Sequence, residues 1–164
     1  TMMRGVIDVN DEQLERMVGK IARATGRAPA RRTGDLAGIT VGALGLTFKA
    51  GTDDLRESPA LAIIAELRRM GARVVAYDPT TTGELSPHHR STLDGIELVG
   101  DPLAVAADAD VITVFTEWPE FAKIDLAALA AVGRPGVTIV DTRNLLDPDL
   151  VREAGFDYDG VGRH

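Results

Sequence analysis

Gly45-Leu46-Thr47-Phe48-Lys49-Ala50-Gly51-Thr52-Asp53-Asp54-Leu55-Arg56-Glu57 is the stretch on which the reading of this chain turns. It holds two cations (Lys49, Arg56), three carboxylates (Asp53, Asp54, Glu57) and two glycines (Gly45, Gly51). The apolar run Ile39 to Leu44 leads into it, and Ser58-Pro59 leads out as an N-cap followed by a proline at the first helical position. A loop that leaves the carboxyl end of a strand and enters a helix is where open α/β sheets bind ligands. Its glycines allow close backbone approach, and Lys49 and Arg56 suit phosphate. The same residues also read as an ordinary surface loop with internal ion pairs.

Outward from this loop the punctuation stays regular. After Pro59, Leu61, Ile64, Leu67 and Met70 form one apolar helix face closed by Gly71. Arg73 to Tyr77 reads as a second strand ending at Asp78-Pro79, which completes a strand-helix-strand unit and implies parallel strands. Thr80 to Gly95 has no clear period and reads as a loop with room for one helical turn. Glu84 and His88-His89 fall there, and adjacent loop histidines rarely converge, so no metal site is expected. Ile96 to Val99 is a short strand, Asp101-Pro102 opens a helix through Ala107, and Asp110 to Phe115 is an apolar strand. A helix from Asp125 to Val132 follows, then a strand at Val137 to Val140 ending in Asp141-Thr142-Arg143-Asn144. A short helix after Asp147-Pro148 and an extended piece from Phe156 to Gly162 close the chain.

On the other side, Leu14, Met17, Val18 and Ile21 recur at helical spacing between a cap at Asn10 or Asp11 and a stop at Gly26. Basic residues with Pro29 and Gly34 then read as a linker. An apolar stripe outside the α/β unit must pack back on it or meet another chain. The expected organisation is a helix and linker over residues 1–34 and a sheet domain over 35–164. The fold class is α/β: a Rossmann-like, doubly wound, mainly parallel sheet of about five to six strands preceded by an N-terminal helix.

Composition narrows the function. With 164 residues the chain suits one domain with a real core, and aromatics at 4% suit an α/β layer fold. A formal net charge of −7 argues against nucleic acid as a partner, though a local basic patch can still hold one nucleotide. There is no cysteine, hence no disulfide, zinc-thiolate or thiol nucleophile, a usage compatible with the cytoplasm. No apolar run approaches the roughly 20 residues that span a bilayer. The start, Thr1-Met2-Met3, resembles a remnant ahead of a start site.

A nicotinamide site within the chain meets two objections. Gly42-Ala43-Leu44-Gly45-Leu46 is not a G-x-G-x-x-G fingerprint, and Asp78 lies too far on to be the acidic ribose ligand. Asp78-Pro79 also serves simply to end a strand and start a turn. Polar groups nevertheless gather at strand ends: Lys49 and Arg56, then Glu117 and Trp118, then Asp141 and Arg143. Arg143, helped by Lys49, suits a diphosphate; Asp141 and Arg143 equally suit a local salt bridge, and Trp118 either a core anchor or a crevice wall.

Phe48-Lys49, Thr52-Asp53-Asp54 and Arg56-Glu57-Ser58-Pro59 resemble the signature loop of the UDP-glucose/GDP-mannose dehydrogenase family, at the opening of its C-terminal, UDP-binding domain. Tyr77-Asp78-Pro79, Thr116-Glu117-Trp118 with Phe121, Asp141-Thr142-Arg143-Asn144 and Gly155-Phe156 to Gly162-Arg163 extend the resemblance over nearly the whole chain, most closely to the UDP-glucose 6-dehydrogenase branch. It implies that Phe48 and Lys49 contact a UDP-sugar, that Arg143 helps hold its diphosphate, and that Arg56 reaches NAD bound mainly by an N-terminal domain. Val9-Asn10 and Gln13 resemble the segment after the family's central helix, which implies a homodimer. Family members oxidise a sugar alcohol twice through a cysteine-bound intermediate, and that cysteine and the NAD fingerprint are not in this sequence. The chain is therefore expected to be catalytically inactive by itself, with no catalytic residue of its own. The alternatives are a dehydrogenase domain for another nucleotide sugar, such as UDP-N-acetylmannosamine, and a non-catalytic Rossmann-like association module using the Asn10 to Thr25 helix.

Overall fold

The computed structural model describes residues 2–26 and 34–161, with side chains from residue 11 onward. Nearly all of the linker expected at 27–34, and the terminal Gly162-Arg163, lie outside the described residues. Strands β1 (Thr40–Leu44), β2 (Arg73–Tyr77), β3 (Glu97–Leu98), β4 (Val111–Val114), β5 (Thr138–Asp141) and β6 (Asp157–Gly160) form one sheet in the order β3-β2-β1-β4-β5-β6. Every pairing is parallel. The doubly wound expectation holds, and the last extended piece is a sixth parallel strand. Strand order reverses between β1 and β4, which are neighbours.

Register puts the strand exits at one level. Leu44 lies opposite Tyr77 on one side and Val114 on the other, Val114 opposite Asp141, and Asp141 opposite Gly160. The loops that follow therefore share one edge. β1 and β4 are buried throughout, as strands covered on both faces must be. One core joins Val41, Ala43 and Val74 to helix α2 (Pro59–Arg69) through Ile64 and Leu67. The other joins Ile112, Val114 and Ile139 to Phe121, Leu129 and Val151 from helices α4 (Pro119–Ala122), α5 (Leu126–Val132) and α6 (Pro148–Glu153). Gly42 permits the 3-10 turn Pro102–Ala106 to lie against β1, because a Cβ there would meet the Val105 carbonyl oxygen at 2.3 Å.

Two differences from expectation have local causes. Within 80–95, Ser86 caps a helix, α3 (Pro87–Thr92), by accepting from the His89 N–H. None of its residues is buried, so it carries no apolar period to betray it. Helix α1 spans Met2–Ala24, so Asn10 and Asp11 lie inside it and cap nothing. Polar residues mark a helix start only when the preceding segment is non-helical. The stop is as read: Gly26 takes φ +83° just past the last turn.

The apolar face of α1 is spent on this domain. Val18, Ile21 and Ala22 are fully buried in the same core as Ile64 and Leu67, with Leu14 and Met17 packed alongside. Lys20 adds a polar anchor, its Nζ pairing with Asp159 at 2.9 Å and donating to the Gly160 carbonyl at 2.5 Å. Lys20→Met is expected to lower stability by about 1 kcal/mol and to speed amide exchange at Gly160 and Val161. Unchanged exchange there would mean that α1 does not hold the end of β6. Among the described residues no helix is long and apolar enough to cross a membrane.

Candidate functional site

The loop between β1 and α2 is tied down at its base. Leu46 N–H donates to Asp78 Oδ2 at 2.8 Å, and the Ser58 hydroxyl donates to the Leu46 carbonyl at 2.7 Å. The same hydroxyl accepts from Leu61 N–H at 3.3 Å, so one side chain caps α2 and holds the loop. Phe48 N–H donates to the Asp54 carbonyl at 2.8 Å and closes the loop on itself. Gly45, at φ +101°, faces the first residues after β4: a Cβ would stand 1.6 Å from Thr116 Oγ1. Only glycine lets these two chain segments pass at the reversal of strand order.

Asp78 resolves one of the open readings. It is fully buried, with Oδ2 accepting from Leu46 and Thr47 and Oδ1 accepting from Thr80 N–H at 2.8 Å and Thr80 Oγ1 at 2.7 Å. Its acceptor capacity is spent on the chain, so no ribose hydroxyl is served. With no glycine fingerprint and this carboxylate engaged, the sheet does not fit a nicotinamide dinucleotide as its own resident cofactor.

Asp141 is likewise fully buried, and the salt bridge that spacing suggested with Arg143 is not made. Its Oδ2 accepts from Tyr158 OH at 3.0 Å and Leu146 N–H at 2.8 Å, and its Oδ1 accepts from the backbone N–H of Arg143 at 3.2 Å. The Arg143 guanidinium turns instead to Glu117, on the loop after β4, donating from Nε and pairing through a terminal nitrogen. Glu117 Oε1 accepts from Ala50 N–H at 3.4 Å. One carboxylate thus joins the exits of β1, β4 and β5. Burial acts to raise the Glu117 carboxyl, but the Arg143 guanidinium and the Ala50 N–H outweigh it and hold the group below the usual range. Asn144, at φ +50°, sits beside Arg143 and clamps the end of β6 through both Val161 N–H (2.9 Å) and the Val161 carbonyl (2.8 Å).

Phe48 and Lys49 are exposed, Phe48 by 44%, an unusual display for a phenyl ring. It shares a cavity of about 500 Å³ with Asp54, Arg56 and Glu57. Arg56 is forked onto Asp54, Nε to Oδ1 at 3.0 Å and a terminal nitrogen to Oδ2 at 3.1 Å. That side-chain bond, then the Arg56 backbone N–H, hold the Asp54 carboxyl down to about 2. A second cavity of about 480 Å³ lies between residues 52–56 and His88, His89 and Thr92. Arg143 lines a separate one of about 450 Å³ with Glu117, Thr142, Asn144 and Val161. The structure therefore brings Phe48 and Arg56 together, and links Arg143 to the Lys49–Ala50 segment through Glu117. Trp118 packs against the second core, the anchor reading, and lines none of these cavities.

Glu117, Asp78 and Asn144 are the structural organisers to which sequence reading gave no such role. A carboxylate at the exit of a central strand, between two arginine-bearing loops, was the available signal for Glu117. Fold and loops together define a doubly wound parallel domain that carries Phe48, Lys49 and Arg56 on the loop after β1 and Arg143 on the loop after β5, at one edge of the sheet.

Comparison with known proteins supplies the family. The model of the UDP-glucose/GDP-mannose dehydrogenase family, UDP binding domain, matches residues 42–148. The UDP-glucose 6-dehydrogenase of Rhizobium meliloti is 36% identical over 162 residues, covering 99% of this chain and 34% of that protein. A UDP-glucose dehydrogenase structure from Pyrobaculum islandicum superposes with a TM-score of 0.70 at 29% identity, over 96% of this chain and 31% of the other. A UDP-D-ManNAc dehydrogenase structure from Pyrococcus horikoshii gives a TM-score of 0.58 at 30% identity, over 78% and 26%. The chain belongs to the UDP-glucose/GDP-mannose dehydrogenase family, as its UDP binding domain. It spans between about a quarter and a third of the length of these relatives.

Proposed function

We propose that this domain holds the nucleotide diphosphate of a UDP-sugar for an NAD-dependent UDP-glucose 6-dehydrogenase, whose product is UDP-glucuronate, a precursor of cell-surface polysaccharide. The observation that carries the reading is the meeting of Arg143, Glu117 and the Lys49–Ala50 segment at the β1–β4 switch point. Arg143 and Lys49 face the diphosphate, and Phe48 offers its exposed ring to the nucleotide sugar. Arg56, with 84% of its side chain exposed, reaches NAD held by an N-terminal domain; NAD supplies the hydride acceptor. The sugar is glucose on the strength of Thr116-Glu117-Trp118 and the Rhizobium meliloti relative; the Pyrococcus horikoshii relative supports N-acetylmannosamine as the competing choice.

Residues 1–34 are assigned to the end of the central helical region and 35–164 to the UDP-binding domain, in a cytoplasmic homodimer. The Val18–Ile21–Ala22 face of α1 is already inside this domain, so the dimer uses other surfaces, and the association-module alternative loses the open stripe that motivated it. Lacking cysteine, the 164-residue chain alone produces no NADH from UDP-glucose.

The test is an amide NMR titration of the chain with UDP, with UMP and NAD as controls. UDP is expected to give saturable shifts at residues 45–57 and 142–144, and Lys49→Ala to weaken it about fivefold to tenfold. No shift at millimolar UDP, or equal shifts scattered over the surface, would overturn the reading.

A further inference from the structure

Both arginines assigned above to phosphorylated ligands already carry a carboxylate, but the two pairs differ in quality. Arg56 and Asp54 form a fork, each donor on its own oxygen, between residues two apart in one exposed loop. Arg143 and Glu117 come from different loops, and the Nε and a terminal nitrogen of Arg143 both fall on the single oxygen Oε2. The remaining oxygen, Oε1, accepts from Ala50 N–H at 3.4 Å, a long contact. A guanidinium fork is best matched by two acceptor oxygens in its plane, which a phosphoryl group supplies. Glu117 therefore sits between the Arg143 guanidinium and the Ala50 N–H. With side-chain exposures of 38% for Arg143 and 36% for Glu117, neither partner is locked in.

We propose that Glu117 is an internal stand-in for the diphosphate: it occupies Arg143 and Ala50 N–H in the free domain and is displaced when the ligand's phosphoryl oxygens take them. This rests on the UDP reading above and adds to it a residue that opposes binding. Its negative charge neutralises Arg143 without ligand, which limits adventitious anions, and the exchange improves the geometry at both donors. After exchange the carboxylate is left near a diphosphate, so its charge weakens the affinity.

Calorimetric titration with UDP of the chain, of Glu117→Gln and of Glu117→Ala is the test, with inorganic pyrophosphate as a second probe. Glu117→Gln keeps the shape and an oxygen for Ala50 N–H but removes the charge, and is expected to bind UDP about tenfold tighter. The gain should vanish in the double variant with Arg143→Ala. In ¹⁵N-arginine spectra the Arg143 Hε resonance should move on adding UDP to the unaltered chain, to the position it takes in UDP-bound Glu117→Ala, where no carboxylate remains; a different final position would mean that Glu117 stays on Arg143. Unchanged or weaker binding by Glu117→Gln, alongside measurable binding by the unaltered chain, overturns the competitor role and leaves the UDP reading intact. Binding of neither ligand to any form overturns the UDP reading itself, and the stand-in with it.

Discussion

Arg143→Glu is expected to abolish UDP binding, a loss of at least about 1,000-fold, while the domain stays folded. The loss has two parts. A charge-assisted fork to the diphosphate disappears, and Arg143→Ala alone should register that part as about 30-fold to 100-fold. The glutamate then stands beside Glu117 at the place the diphosphate must enter, so ligand meets paired carboxylates instead of a guanidinium. Stability should fall by no more than about 1 kcal/mol, because the Arg143–Glu117 pair is over one third exposed and such pairs contribute little. Calorimetry with UDP and urea denaturation on the same preparation check both halves. Retained UDP affinity with an intact fold would place the diphosphate elsewhere, with the cavity between residues 52–56 and α3 as the next place to look.

The order of elements was legible because apolar runs are separated by strong punctuation. Ser58-Pro59, Asp101-Pro102 and Asp147-Pro148 each begin a helix or a 3-10 turn, with the first residue capping the next N–H groups. Strand β2 was readable to the residue, since Gly71 and Pro79 bracket it. Pairing was not legible. Arg143 lies two residues from Asp141 in sequence and 26 from Glu117, yet bonds its guanidinium to the latter. Parallel register decides this by setting Val114 level with Asp141, which sends both exit loops over the same edge, while Tyr158 and Leu146 claim the Asp141 carboxylate. Likewise the stripe on α1 announced a buried face, but periodicity says nothing about which surface buries it. Burial of the same helix against its own sheet and against a second chain leaves the same pattern.

Asp78→Ala is the substitution expected to cost most in stability, about 3–5 kcal/mol, although Asp78 touches no ligand in the proposed site. The carboxylate is fully buried and serves backbone N–H groups from two separate loops: Leu46 and Thr47 after β1, and Thr80 after β2. Alanine leaves those donors unmatched, the Leu46 and Thr47 N–H groups in a buried region, and an unsatisfied buried donor costs about 1–3 kcal/mol. Asp78→Asn keeps an acceptor on one side but turns an NH₂ toward donors on the other, so an intermediate loss of about 2 kcal/mol is expected. Urea denaturation midpoints measure both, against a total stability of about 5–15 kcal/mol for a domain of this kind. UDP affinity should fall in parallel, because Leu46 is the hinge from which the Phe48–Lys49 segment projects and its N–H is held by this group. The contrast with Arg143→Glu is the informative part: one substitution removes a ligand contact and spares the fold, the other loosens the fold and so moves the contacts. If Asp78→Ala costs less than about 1 kcal/mol, Ser58 and the Phe48–Asp54 closure suffice to hold the loop, and β2 contributes only its edge to the sheet and nothing to the site.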